Sequence, residues 1–152
     1  MNTSFLRIAF TAALVGLLAV ASSAKSPKRG VGWDERTMKL NSHHAELFKP
    51  GVSWVYNWGP DAANSDAFDS ELRFEPMAWN AAYDAGRIRS WIKKHPETRY
   101  LLGFNEPNFD DQAKMTPAQA AEAWPALEKL AAELGLKLVA PALNFSASQV
   151  GG

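Results

Sequence analysis

From Gly30 onward, short apolar or aromatic runs alternate with longer amphipathic stretches, and this rhythm constrains the fold more than any other feature of the chain. A strand, a helix and a second strand in succession must cross one face of a sheet, so repeats of the unit build a parallel sheet with helices outside it. Strands are expected at Gly30–Trp33, Val52–Tyr56, Phe74–Trp79, Tyr100–Phe104 and Lys137–Pro141. The clearest helix is Thr116–Leu134, with Thr116 as N-cap, Pro117 at the first helical position, Gln119 closing a capping box and Gly135 ending it. Trp124, Leu127, Leu130 and Leu134 form its buried face, and Pro125 is expected to kink or split it. A second helix near Ala81–Lys94 places Ile88, Trp91 and Ile92 on one side, and a weaker one is expected near Met38–Phe48. Asp61–Ser70, rich in Asp, Asn, Ala and Ser, is assigned to no element.

Such a chain of βα units makes either an open doubly wound sheet or a (β/α)8 (TIM) barrel, and a whole barrel takes about 250 residues. The 152 residues supply about five units, so a barrel is expected here as its N-terminal portion, truncated after the fifth strand. Gly30-Val31-Gly32 runs into Trp33-Asp34-Glu35 without the third glycine of a dinucleotide fingerprint, and no cofactor is expected. The 16 Lys+Arg balance 16 Asp+Glu, leaving no charge excess to draw nucleic acid. The absence of cysteine excludes a thiolate nucleophile and Cys-based metal sites. His43-His44 and the distant His95 have no zinc-motif spacing, so no metal is expected and the His pair is assigned to a solvated helix surface.

The first residues have the order of an address. Arg7 precedes an uncharged run from Ile8 to Val20, which ends in the small residues Ala21-Ser22-Ser23-Ala24. That is the order of a secretory signal, and the run is shorter than the roughly 20 apolar residues of a bilayer span. The expectation is a signal peptide at residues 1–24, the N-terminal portion of a TIM-barrel domain at 28–152, secretion to the extracellular space or a periplasm, and no membrane attachment after cleavage.

In parallel α/β folds the reactive groups stand at the carboxyl ends of the strands. Here those ends carry Trp33-Asp34-Glu35, Tyr56-Asn57-Trp58, Trp79-Asn80, Asn105-Glu106-Pro107-Asn108 and Asn144-Phe145. Aromatic rings cover the apolar faces of sugars, and Asn side chains donate to and accept from hydroxyl edges. The set points to a neutral carbohydrate. Glu106, two residues past Phe104 at the mouth of the fourth strand, is the candidate proton donor, with Asn105 placed to hold a sugar hydroxyl. Trp91 and Trp124 fall on apolar helix faces and are assigned to the core. Asn144-Phe145-Ser146 matches a glycosylation sequon, but a glycan there would block the cleft, so Asn144 is taken as a substrate contact.

Four segments in order, Tyr100–Asn108 (YLLGFNEPN), Val52–Trp58 (VSWVYNW), Phe74–Asn80 (FEPMAWN) and Leu138–Asn144 (LVAPALN), resemble the catalytic domain of glycoside hydrolase family 128, which includes the fungal alkali-sensitive-linkage proteins. The resemblance runs from about Lys28 to Gly152. It implies a (β/α)8 barrel that cleaves β-1,3-glucan internally with retention of configuration, with Glu106 as general acid/base and Asn105 touching substrate. Trp54, Tyr56, Trp58, Trp79, Asn80 and Asn144 are the further cleft residues it suggests.

A retaining glycosidase needs a second carboxylate about 5–5.5 Å from the first. Similar enzymes carry it on the seventh strand, beyond residue 152. Glu75 lies at the wrong end of its strand, Glu46, Glu122, Glu128 and Glu133 lie on helices, Glu97 is in a turn, and Glu35 is expected across the barrel from Glu106. The chain alone is therefore expected to have little or no hydrolytic activity. A non-catalytic glucan-binding or cell-wall protein and a nonfunctional gene fragment are the alternatives.

Overall fold

A computed structural model describes residues 25–145; the leader expected at residues 1–24 and the segment 146–152 lie outside the described residues. The elements follow the expected alternation: β1 (Gly30–Gly32), α1 (Ser42–Phe48), β2 (Trp54–Tyr56), a 3-10 turn (Ser65–Ala67), β3 (Arg73–Phe74), α2 (Ala85–Lys94), β4 (Tyr100–Leu102), α3 (Pro117–Glu133) and β5 (Lys137–Val139). No helix among the described residues is long and apolar enough to cross a membrane.

All strand pairs are parallel. Gly30, Val31 and Gly32 stand beside Trp54, Val55 and Tyr56, and Val55 stands beside Phe74. Tyr100, Leu101 and Leu102 pair with Lys137, Leu138 and Val139. The two ladders meet just past β3, where Leu102 N–H donates to Pro76 O and Ala78 N–H to Leu102 O, both at 2.9 Å. The strands thus lie in chain order, and closure of the sheet into a barrel is not contained in the described residues.

Several boundaries differ from expectation for local reasons. The third strand, expected at Phe74–Trp79, pairs with β2 only over Arg73–Phe74, and on its other edge Pro76 has no N–H to donate, which leaves a single bridge to β4 between Met77 and Leu102. Asp84 accepts from Arg87 N–H at 2.9 Å and sets the start of α2 at Ala85, four residues later than expected. Asn41 does the same for α1, accepting from His44 N–H at 3.1 Å. His44 returns the bond through Nδ1 and leans on Trp33, with ring centroids 5.1 Å apart, so it is a capping residue rather than part of a solvated surface. Pro125 does not split α3. It sits on the exposed side, as does Ala121, whose carbonyl it leaves without an intrahelical donor.

The core has two parts. Leu40, Val55, Phe68, Leu72, Phe74 and Trp91 fill one beneath β1–β3, and Ile88, Leu101, Phe104, Leu127, Leu130 and Leu136 fill the other beneath β4–β5. Between them lies a buried polar tie. Glu75, 1% exposed, accepts from Arg73 Nε at 3.0 Å through Oε1, and from the N–H groups of Arg99 and Tyr100 at 3.0 and 2.8 Å through Oε2. Burial pushes its carboxyl up, against the pull of those N–H groups and of Arg73. Glu75 is thus a joint between β3 and β4.

Candidate active site

A cleft of about 870 Å³ opens at the carboxyl ends of the strands, lined among others by Glu35, Asn57, Trp58, Trp79, Asn105 and Glu106. Parallel strands aim their following loops to one end of the sheet, which is why residues 70 positions apart in sequence meet there.

Glu106 is half-buried and follows Asn105, whose N–H donates to Trp79 O at 3.0 Å. Its φ of +42° is left-handed, a conformation that costs a non-glycine residue about 1–3 kcal/mol and clusters at functional sites. The turn is held by Phe109 N–H donating to Glu106 O at 3.0 Å and Met115 N–H donating to Pro107 O at 2.7 Å. On the side chain, Oε1 accepts from Asn144 Nδ2 at 3.2 Å. Asn144 is itself clamped, donating its N–H to Asn108 Oδ1 at 3.2 Å and accepting from Asn108 Nδ2 at 2.8 Å. The amide pair aims the carboxylate. Sequence reasoning gave Asn108 no role; its only signal was its place at the end of the Asn-Glu-Pro-Asn run.

Asn105, 7% exposed, donates from Nδ2 to Gln112 Oε1 at 2.8 Å. Gln112 also lines the cleft and was not singled out from sequence. Tyr56 reaches the same region: burial raises its phenol above the ordinary value, and the nearby Glu106 charge adds to the rise, so its hydroxyl stays protonated. Trp58 also has a left-handed backbone, φ +63°, and its ring lies 4.8 Å from that of Tyr56. Trp79 completes the aromatic lining.

Two of the sequence-suggested cleft residues stand elsewhere. Trp54 lies along the sheet, its indole over Gly30, where any side chain would collide with it. Asn80 lines a separate pocket of about 420 Å³ beside Met115 and Gln119, and its Oδ1 accepts from Ala82 N–H at 2.9 Å.

The other acids of the cleft are mostly occupied. Asp34 is held below the ordinary carboxylate range by hydrogen bonds from the Arg36 guanidinium, at 2.9 and 2.7 Å, and from its backbone N–H. Asp61 is gripped by Arg87, with Nε donating at 2.9 Å. Glu35, expected across the barrel, lines this same cleft; its Oε2 accepts from Asn57 Nδ2 at 2.7 Å and its Oε1 is buried. Among the described residues, Glu35, Glu106 and the exposed Asp111 are the lining acids without a cationic partner, and of these Glu35 is held by Asn57.

A cleft at strand ends, lined by indoles and amides around one aimed carboxyl, is the architecture of a carbohydrate-directed α/β protein. A family profile described as glycosyl hydrolase catalytic core matches residues 30–152, and the chain belongs to that family. Within it, the solved structures the chain resembles are of glycoside hydrolase family 128. One is a subgroup II endo-β-1,3-glucanase from Pseudomonas viridiflava, 42% identical with a TM-score of 0.71, the match covering 82% of this chain and 48% of that one. A subgroup II endo-β-1,3-glucanase from Sorangium cellulosum is 33% identical with a TM-score of 0.66, covering 82% and 49%. A subgroup I enzyme from Amycolatopsis mediterranei, solved with laminarihexaose, is 27% identical with a TM-score of 0.58, covering 79% and 45%. The chain thus spans about half the length of the solved structures it matches. No protein with a curated description matches it.

Proposed function

We propose that the cleft holds a β-1,3-glucan chain and that Glu106 is the general acid/base of its hydrolysis. The carrying observation is Glu106 itself: half-buried at the mouth of β4, on a left-handed backbone, and aimed by the Asn108–Asn144 pair. In a retaining sequence Glu106 protonates the glycosidic oxygen as the anomeric carbon is attacked by a second carboxylate, then takes a proton from the water that releases the sugar. Asn105 and Asn144 bond sugar hydroxyls, and Trp58, Trp79 and Tyr56 stack on the rings. The attacking carboxylate comes from a later strand of the closed (β/α)8 barrel, so these 152 residues by themselves bind glucan and release few or no reducing ends. Secretion is proposed on the leader-like first 24 residues.

A binding protein without hydrolysis is the second reading, supported by the pairing of Asp34, Glu35 and Asp61 to neighbours within the cleft. Incubation with linear β-1,3-glucan, scoring both retention on the insoluble polymer and new reducing ends, separates the two. Retention without release in the wild type fits either a half-site or a binding protein, and joining the missing strands to the chain then restores release only for the enzyme. Any release should fall about 100-fold or more in Glu106→Gln. Release unchanged in that variant overturns the assignment, and no retention overturns the glucan reading.

A further inference from the structure

Glu35 is the acid of the cleft that the proposed chemistry leaves unused. Its Oε2 accepts from Asn57 Nδ2 at 2.7 Å and from Ala63 N–H at 3.0 Å, and its Oε1 is buried with no partner. One oxygen is bonded twice and the other is enclosed beside Trp33, Leu40, Val55, Phe68 and Phe74, so neither is left free to attack a substrate. Its hold is passed to a loop instead. Asn57 Nδ2 also donates to Asp61 O at 2.9 Å, and Asn57 Oδ1 accepts from Gly59 N–H at 2.9 Å. Gly59 O accepts from Met77 N–H at 2.9 Å, and the Asp61 carboxylate is tied to Arg87 on α2.

The residue enclosed by these ties is Trp58, in its left-handed conformation. Its ring packs on Tyr56 and so closely over Gly32 that a Cβ there would stand 3.0 Å from it. A bare carboxylate oxygen in an apolar recess weakens a fold, so the arrangement is poorly explained as stabilisation. We infer that Glu35 is a positioning residue: acting through Asn57, it fixes the Trp58 indole as a stacking wall of the cleft. The inference rests on the glucan reading for its consequence, and on geometry alone for the link between Glu35 and Trp58.

The test uses the full chain as wild type, Glu35→Leu, Trp58→Ala and the double variant, with laminarihexaose binding by calorimetry and the indole N–H spectrum of the free protein. Glu35→Leu should weaken laminarihexaose about tenfold, the scale of one lost aromatic contact. It should also move the indole resonance that Trp58→Ala removes. The double variant should bind no worse than Trp58→Ala, because the two residues act as one unit. Glu35→Gln, which keeps an acceptor for Asn57, should recover most of the affinity. Additive losses in the double variant, or a Trp58 resonance unmoved by Glu35→Leu, overturn the inference. Where Glu35→Leu does not fold, Asn57→Ala breaks the same link and must move the same resonance. A wild type that binds no laminarihexaose sinks the glucan reading, while the indole shift still decides the link.

Discussion

The β1–β3 half of the sheet and the β4–β5 half are covered by different means. Between β2 and β3 the crossing contains only the 3-10 turn Ser65–Ala67, and aromatic edges fill the layer: Trp91 packs against Phe68 at 5.8 Å and Phe74 at 4.9 Å, and those two rings meet at 5.5 Å. Between β4 and β5 the 17-residue helix α3 lays Leu127, Leu130 and Ala131 on the sheet. Large rigid rings fill volume with few residues and tolerate an irregular crossing; small aliphatic groups need a regular helix to bring enough of them to one face. The mouth divides the same way. The first half contributes a hydrogen-bonded loop that presents Trp58, the second an acid held by an amide clamp.

The largest effect is expected at Glu75, which joins the halves. Glu75→Leu leaves Arg73 buried without its partner and two strand N–H groups without an acceptor, and should lower stability by about 3–5 kcal/mol in urea unfolding. Glu75→Gln keeps an acceptor and should lose clearly less. Because burial raises the Glu75 carboxyl above its ordinary 4.5, the folded chain holds that proton more tightly than the unfolded one. Its contribution is fully present below pH 4.5 and is lost as pH rises through the folded value, a slope that Glu75→Gln should remove. A pH profile identical in the two proteins would mean that Glu75 is no more proton-binding folded than unfolded.

Next come the two core layers. Phe74→Ala should destabilise by about 3–5 kcal/mol and Leu127→Ala by about 2–5 kcal/mol. Phe74 loses contact with two rings at once, so it should be the more costly and should alter the near-ultraviolet signal of Trp91, which Leu127→Ala leaves in place. A larger loss at Leu127 would show the helix, not the aromatic layer, to be the main support of the sheet.

The order of the elements was legible because strand and helix periodicities differ, and α3 most of all because Thr116, Pro117, Gln119 and Gly135 each mark a boundary. The short third strand was less so: Pro76 interrupts an apolar run whose pattern alone continues to Trp79. At the site, position along the strands brought Trp58, Trp79, Asn105 and Glu106 to the cleft. It could not show that Asn80 would spend its Oδ1 on a turn, or that Trp54 would lie over Gly30, since both depend on contacts made after the chain has folded. The clamp of Asn108 on Asn144 joins residues 36 apart and leaves no local pattern.

The smallest effects separate the halves most finely, because both carry the same device. Asn41 with His44 caps α1, and Thr116 with Gln119 caps α3, each as a reciprocal capping box. Replacing either cap by Ala removes about 1 kcal/mol of helix stability. In α3 that loss should appear in the global unfolding midpoint, because Leu127 and Leu130 bind the helix to the core and the two unfold together. In the seven-residue α1 only Ala45 is buried, and a helix that short has little stability of its own. Asn41→Ala should therefore speed amide hydrogen exchange across Ser42–Phe48 and leave the midpoint nearly unchanged. Equal midpoint shifts in the two variants would mean that α1 unfolds with the aromatic layer beneath it, and that the first half is as cooperative as the second.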